Sequence, residues 1–269
     1  MLTHPLLPKL KELRLSGMVD TLDERAQMAQ LQNLTPVDFL ALLLDDEIDR
    51  RQQRKHERLE RSAGFDGVKL LAQFDFAAVP CLDRSLALEM ATCQFIQKRH
   101  NWILCGPTGV GKSHLATAIG YEAVKRGMTV LFQTASAMLA DLLTGRADGS
   151  YAKKMAGILR SDLLIIDDFG LRQLSETGAD DLYEIIHSRY ERRSIIITSN
   201  RSPSEWPELF GSPLIASAAL DRLTHHARIT VITGESYRQK HRRTASTASQ
   251  SIQPQTQEKE GPASVELPT

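Results

Sequence analysis

Eight residues constrain this 269-residue chain more than any others: Gly106-Pro107-Thr108-Gly109-Val110-Gly111-Lys112-Ser113. A glycine, four residues, then Gly-Lys-Ser lets the backbone fold tightly enough to aim successive N–H groups inward, where they can meet phosphate oxygens. The flanks suit that reading. Asn101 to Cys105 has the apolar run of a short buried strand, and Lys112 to Arg126 carries Leu115, Ile119 and Ala123 on one helical face. A helix start adds its partial positive charge at the anion. A chance glycine-rich turn would not come with a strand before it and a helix after it.

Read as a P-loop, the stretch predicts a nucleotide site with ATP and Mg²⁺ as cofactors. Gly106, Pro107, Thr108, Gly109, Val110 and Gly111 form the cradle, Lys112 reaches the β- and γ-phosphates, and the Ser113 hydroxyl is a Mg²⁺ ligand. A second constellation supports this. Leu163 to Asp168 is an apolar run ending in two acids, as a buried parallel strand carrying functional groups at its C-terminal edge would read. Placed beside the P-loop strand, Asp167 is assigned to Mg²⁺ through water and Asp168 to the general base that polarises the attacking water. Two N-capping aspartates would look the same in isolation. Ser194 to Asn200 is another such strand, whose Asn200 is placed to hydrogen-bond the γ-phosphate or the water. On its own, a turn-forming asparagine before Arg201-Ser202-Pro203 explains it as well.

The rest of the chain is organised around this core. Residues 1–64 read as a helical N-terminal domain: one segment from Pro8 to Met28, broken near Gly17, and a helix from Thr35-Pro36 to Gly64. In the second, Phe39, Leu40, Leu43 and Leu44 form an apolar face. The charged run from Ile48 to Arg61 is either a solvated face stitched by ion pairs or a surface for DNA or a protein. Residues 65–98 are a connector, expected to be extended and pinned by Phe65, Phe74 and Phe76, followed by one amphipathic helix from Leu82 to Gln97. Residues 99–243 are the α/β core. It is expected to hold strands at 128–132 and 228–232, a helix at 137–143 capped by Ser136, and helices at 151–160, 177–193 and 214–227. Trp206 and Phe210 should pack the loop before the last of these. Residues 244–269, rich in Ser, Thr, Gln and Pro, should be disordered.

Composition narrows the classes. No apolar run approaches a membrane span, and the start lacks a secretory pattern, so a cytoplasmic protein without membrane attachment is expected. Cys81, Cys93 and Cys105 match no zinc spacing and read as buried free thiols. The adjacent His225-His226, placed inside a helix, would point about 100° apart and chelate poorly, so they read as surface or packing residues. Net charge is zero, but residues 186–243 hold 10 Lys/Arg against 5 Asp/Glu, so a basic face for a polyanion stays open.

Taken in order, Phe74-Asp75-Phe76, Gly106 to Leu115, Leu163 to Gly170, Arg189-Tyr190-Glu191, Thr198-Ser199-Asn200, Glu205-Trp206, Asp221 to His226 and Gly234 to Arg238 resemble one family. These are the IstB-like ATPases, helpers of insertion-sequence transposition related to the DnaC helicase loaders within the AAA+ class. The resemblance spans roughly residues 5–243. It implies an AAA+ core with a five-stranded parallel sheet behind a small all-α domain, and Mg-dependent ATP hydrolysis coupled to homo-oligomer assembly on double-stranded DNA. The implied partner is the cognate transposase. Asn200 takes the sensor-1 position, and Arg222 the arginine finger that reaches the neighbouring subunit's ATP. The segment from Ser136 to Arg160 lies where initiator-type relatives carry an extra helix facing DNA, which points to Arg146, Lys153 and Lys154 as phosphate-backbone contacts.

Two departures from the general AAA+ pattern stand out. The second acid is Asp168 where most relatives outside the loader branch have Glu, and no helical lid follows the core, leaving Arg238 as the nearest sensor-2 candidate. A DnaC-like helicase loader and a binding module using ATP only as a switch are the competing readings. The absence of cysteine from residues 1–65 weighs against a loader with metal-ligating cysteines.

Overall fold

The structure, a computed structural model, describes residues 5–234 together with 236 and 237. In chain order its elements are α1 (Leu7–Glu12), α2 (Ser16–Gln32), α3 (Pro36–Ala63), α4 (Arg84–Ala91), α5 (Gln94–Gln97), β1 (Asn101–Cys105), α6 (Lys112–Lys125), β2 (Val130–Thr134), α7 (Ala135–Asp148), α8 (Tyr151–Arg160), β3 (Leu163–Phe169), α9 (Glu176–Arg189), β4 (Ser194–Ser199), α10 (Pro213–Thr224) and β5 (Ala227–Val231). The strands form one parallel sheet in the order β2-β3-β4-β1-β5. Their side chains alternate between two cores, as the two-residue period of a strand requires. Trp102, Leu104, Leu163 and Ile165 face α4, α5 and α6, whereas Ile103, Cys105, Leu164 and Ile166 face α7 to α10. No helix among the described residues is long and apolar enough to cross a membrane.

The N-terminal helices form a hairpin with a small core of Met18, Leu22 and Leu43. α3 starts as its sequence dictates: Thr35 accepts a hydrogen bond from the Asp38 N–H, Pro36 takes the first helical position, and Gly64 closes the helix at φ 71°. At 28 residues, or about 42 Å, α3 also spans both cores, because Leu59 and Ala63 join the larger one under the sheet. Leu43 is buried but Leu40 and Leu44 are half exposed, so the expected apolar face is only partly used. The charged run carries ion pairs, Arg51 to Glu47 and Arg50 to Asp20.

Several boundaries differ from expectation. The first helical segment breaks at residues 13–15, not at Gly17, which lies inside α2. A Cβ there would sit 2.6 Å from the Asp46 carbonyl oxygen and 2.7 Å from the Glu47 Cα. The glycine therefore serves the close approach of α2 to α3, and its N–H donates to Glu47 Oε2 at 2.6 Å. The connector is not extended; it makes two 3₁₀ turns, at Leu71–Gln73 and Phe76–Ala78, the second capped by Asp75. The helix expected over 82–97 is split by Cys93 in a left-handed conformation. Thr134 rather than Ser136 caps α7, which runs on to Asp148. β2 starts two residues later than expected, because Asp162 holds Thr129 through its N–H and hydroxyl. Cys81 is exposed, while Cys93 and Cys105 are buried. Trp206 packs inside the α7–α10 core, edge-on to Phe169, rather than merely closing a loop. The expected disorder of 244–269 and the Arg238 assignment lie outside the described residues.

Candidate nucleotide site

The site begins with a sheet in which β1, β3 and β4 all end on the same side. β3 is not adjacent to β1, as the placement of its acids had assumed: β4 lies between them. The acids are linked to the P-loop through the end of β4, and Thr198 makes the link. Its hydroxyl accepts from the Asp168 N–H at 3.0 Å and donates to Asp167 Oδ1 in a short hydrogen bond. The β3–β4 register is irregular between Ile166 and Phe169, and Asp168 sits at φ 54°. A non-glycine residue in that region is held there by its surroundings, and such strain gathers at functional sites. The consequence is that successive acids do different things: Asp167 is buried against Thr198, and Asp168 lines the cavity.

Ser199 secures the same edge. Its hydroxyl donates to the Phe169 carbonyl at 2.7 Å and accepts from the Trp206 indole N–H at 3.3 Å and from the Arg201 N–H at 3.1 Å. Asn200, the next residue, turns into the cavity, and its Oδ1 accepts from Lys112 Nζ at 2.6 Å. Lys112 also donates to the carbonyls of Gly106 and Pro107, at 2.9 and 2.8 Å. The lysine is only 4% exposed, so its ammonium joins the P-loop to the end of β4 inside the protein.

The loop that holds Lys112 needs its first glycine. Gly106 has φ 146°, and a Cβ there would lie 2.0 Å from the Ile232 carbonyl oxygen. The chain after β5 crosses this close to the loop because Ile232 donates to the Cys105 carbonyl at 2.7 Å and Tyr237 to the Gly109 carbonyl at 3.0 Å. Cys81 clips the same segment: its thiol donates to the Thr233 carbonyl and accepts from the Thr233 N–H. Under the loop, burial pushes the Cys105 thiol up to about 11 against the opposing effect of Lys112, so it stays a neutral packing group.

The result is a cavity of about 360 Å³. Thr108 to His114 form its floor, Asp168 and Asn200 one side, and Lys69, Gln73, Phe74, Asp75, Val79 and Tyr237 the other. Sequence reasoning named the floor and the polar side. It did not foresee that the connector and Tyr237 supply the opposite wall. Phe74 stands edge-on to His114, whose Nε2 lies 3.2 Å from the Leu70 carbonyl oxygen. The signal was there: Phe74 and Tyr237 both lie in stretches that carried the resemblance, and His114 directly follows Ser113.

The remaining candidates lie outside the cavity lining. Arg222, on α10, donates to the Ala218 carbonyl at 2.7 Å and lies over the Tyr183 ring. Arg146 is paired with Asp181 and stacked on Tyr151, and Lys154 is paired with Asp141 at 2.8 Å. Lys153 is exposed on α8. Arg189, part of the resemblance, is buried at the opposite end of the sheet and donates to the carbonyls of Ile158, Ser161, Asp162 and Ser194.

A glycine-rich loop at a helix start, a buried ammonium and two acids at one strand end suit a nucleotide phosphate with a divalent cation. Comparison with known proteins points the same way. The family model described as IstB-like ATP binding protein matches residues 8–245. An insertion-sequence protein of Sinorhizobium fredii, named as ATP-binding, is 38% identical over 243 residues, covering 90% of this chain and 99% of its own. A similarly named protein of Mycobacterium tuberculosis is 38% identical over 234 residues, covering 87% of this chain and 93% of its own. Among solved structures, DnaI superposes with a TM-score of 0.53 at 24% identity, covering 61% of this chain and 90% of that one. AMPPCP-bound DnaA from Aquifex aeolicus gives 0.51 at 22%, covering 67% and 55%. At such identities these two structures establish the fold of the core and no more.

Proposed function

The chain belongs to the IstB-like ATP-binding family, and from that premise we propose that it is a Mg-dependent ATPase that assembles on double-stranded DNA and activates the transposase of its insertion sequence. The observation that carries the ATPase part of this reading is the convergence of Lys112, Asp168 and Asn200 on one cavity from three parts of the sheet edge. In this reading the N–H groups of 108–113 and the Lys112 ammonium hold the β- and γ-phosphates. Ser113 and Asp167 hold Mg²⁺, which supplies charge neutralisation when bound. Asp168 accepts the proton of the attacking water, and Asn200 orients that water or the γ-phosphate. Asp168 is one methylene shorter than Glu, which favours slow turnover.

Arg222 does not line its own chain's cavity. That supports a role toward the ATP of a neighbouring copy, so the complete site is intermolecular and a lone chain hydrolyses slowly. For DNA, Lys153 is the candidate with its charge most available, because Arg146 and Lys154 already face Asp181 and Asp141. The insertion-sequence names of the relatives favour the transposase as partner over a replicative helicase.

The test measures ATPase rate and sedimentation together, with and without duplex DNA, for the wild type and Arg222→Ala. ATP and DNA should drive a large wild-type assembly with raised turnover, while Arg222→Ala binds ATP but loses turnover. A wild type that stays monomeric on DNA and hydrolyses no faster than Arg222→Ala would overturn the intermolecular site. Adding the transposase then separates a helper from a simple nucleotide switch.

A further inference from the structure

The objection to a histidine chelate at 225–226 rests on both residues lying in a helix, and they do not. α10 ends at Thr224; His225 is its cap and His226 begins the turn into β5. Their rings come together, with centroids 4.0 Å apart and planes at 42°. Glu191 arrives from the turn between α9 and β4, where it sits at φ 55° and its carbonyl accepts from Arg99 Nη1 at 3.1 Å. Its Oε1 lies 3.5 Å from His226 Nε2. One ligand atom from each of Glu191, His225 and His226 falls within 4.8 Å of the other two, and no other such group of three His, Cys, Asp or Glu occurs among the described residues.

We propose that Glu191, His225 and His226 form a surface site for a divalent transition-metal ion, with Zn²⁺ the first choice. Two imidazoles and a carboxylate are a borderline donor set that suits Zn²⁺ better than Mg²⁺ or Ca²⁺. Bonds of about 2.0–2.2 Å in a tetrahedron put neighbouring ligand atoms roughly 3.3 Å apart. The three side chains are exposed, so they can draw in by the difference through rotamer changes. Two features beyond the triad support the site. The Tyr190 hydroxyl lies 2.7 Å from His225 Nδ1, and such a partner on one ring nitrogen orients the other for a metal. His100 stacks on His226 with ring centroids 5.4 Å apart and planes at 13°, which gives the second ring a packing partner. Three protein ligands leave a fourth position open to water or to a ligand from another molecule. Bound metal would tie the end of α10, three residues beyond Arg222, to the α9–β4 turn.

The experiment titrates Zn²⁺ into the full chain, stripped with chelator and free of nucleotide and Mg²⁺, by calorimetry. Co²⁺ absorption serves as the coordination signature. The wild type should bind one Zn²⁺ per chain. His225→Ala, His226→Ala and Glu191→Gln should each weaken binding at least tenfold and remove the tetrahedral Co²⁺ spectrum. Cys81→Ser and His56→Ala, which alter an exposed thiol and a distant histidine, should leave both unchanged. Tyr190→Phe should weaken binding less than loss of a ligand. No Zn²⁺ binding by the wild type, or binding that survives the double change of His225 and His226 to Ala, would overturn the proposal. All the ligands are exposed, so circular dichroism should confirm that the variants keep their fold.

Discussion

Two cations are buried at opposite ends of the same sheet. Lys112, 4% exposed, lies at the C-terminal edge; Arg189, 1% exposed, lies at the N-terminal edge, beside the starts of β3 and β4. Both donate to neutral carbonyl oxygens. Arg189 is enclosed by the carbonyls of Ile158, Ser161, Asp162 and Ser194 and by the Ser161 hydroxyl, and burial pushes its guanidinium down to about 9. Lys112 borders a cavity and shares Asn200 with it. Burial of a charge therefore does not mark a site by itself. Open volume at the carboxyl ends of parallel strands does, because there the loops and helix starts converge. Arg189 spends its hydrogen bonds on joining two strands and a helix; Lys112 can exchange its partners for phosphate oxygens.

The contrast predicts opposite failures. Arg189→Met removes the donors from several buried oxygens at once. Each orphaned acceptor costs about 1–3 kcal/mol, so urea unfolding should show a loss on the order of 4 kcal/mol, with nucleotide affinity intact in whatever remains folded. A loss below about 1 kcal/mol would mean the oxygens find water, and the enclosure argument fails. Lys112→Met should do the reverse. Stability should move by less than about 1 kcal/mol, since Lys112 and its partner Asn200 line the cavity, where water can take the place of the ammonium. Two charge-assisted bonds to phosphate at about 1.5 kcal/mol each amount to roughly a hundredfold in affinity, read with a fluorescent ATP analogue.

Glu47 extends the comparison to an anion, 5% exposed between α2 and α3. It is held by the Gly17 N–H at 2.6 Å and by Arg51 at 2.7 Å. Gly17→Ala would push a methyl into the α3 backbone, separating the helices at a cost of about 1–3 kcal/mol. Hydrogen exchange should quicken in α2 and the first half of α3 while β1, β3 and β4 stay protected. Equal quickening in the sheet would show that α3 carries the disturbance through Leu59 and Ala63.

Much of this was legible where backbone chemistry is local. Gly-Lys-Ser after an apolar pentad gave β1 and α6, and the runs at 163–168 and 194–199 gave β3 and β4, because a doubly covered parallel strand has no polar face to confuse the pattern. Thr35-Pro36 and Gly64 bounded α3 for equally local reasons. What stayed hidden depends on pairs distant in sequence. Gly17 looks like a helix breaker until Asp46 and Glu47 are seen against it. Arg189 resembles any last-turn arginine until two strand starts close around it. The cavity's second wall comes from residues 69–79 and 237, whose approach to the P-loop no spacing rule encodes. The insertion of β4 between β1 and β3 was likewise invisible, and with it the task of Thr198 in linking the two acids.

The smallest effect is one of pH. The Arg25 hydrogen bond holds the Asp46 carboxyl below the usual range, with Thr21 adding to it. Burial works to raise Glu47, but Arg51 and the Gly17 N–H outweigh it, and its net direction is also down. A carboxylate depressed in the folded state contributes stability above its unfolded pKa, near 4 for these residues, and loses it as pH falls through the folded value. The hairpin should therefore loosen below about pH 4. Asp162 and Glu122, beside the sheet, are depressed too, but they are partly exposed ion-pair partners of Arg193 and of Lys125 with Arg126, so they contribute less. Both tryptophans, Trp102 and Trp206, are fully buried against the sheet, so their emission reports the sheet, whereas far-ultraviolet circular dichroism also reports the hairpin. On acidification the dichroism should fall first, with the tryptophan emission unchanged. If both signals move together, the hairpin has no separate melting, and α3 binds the two cores into one cooperative unit.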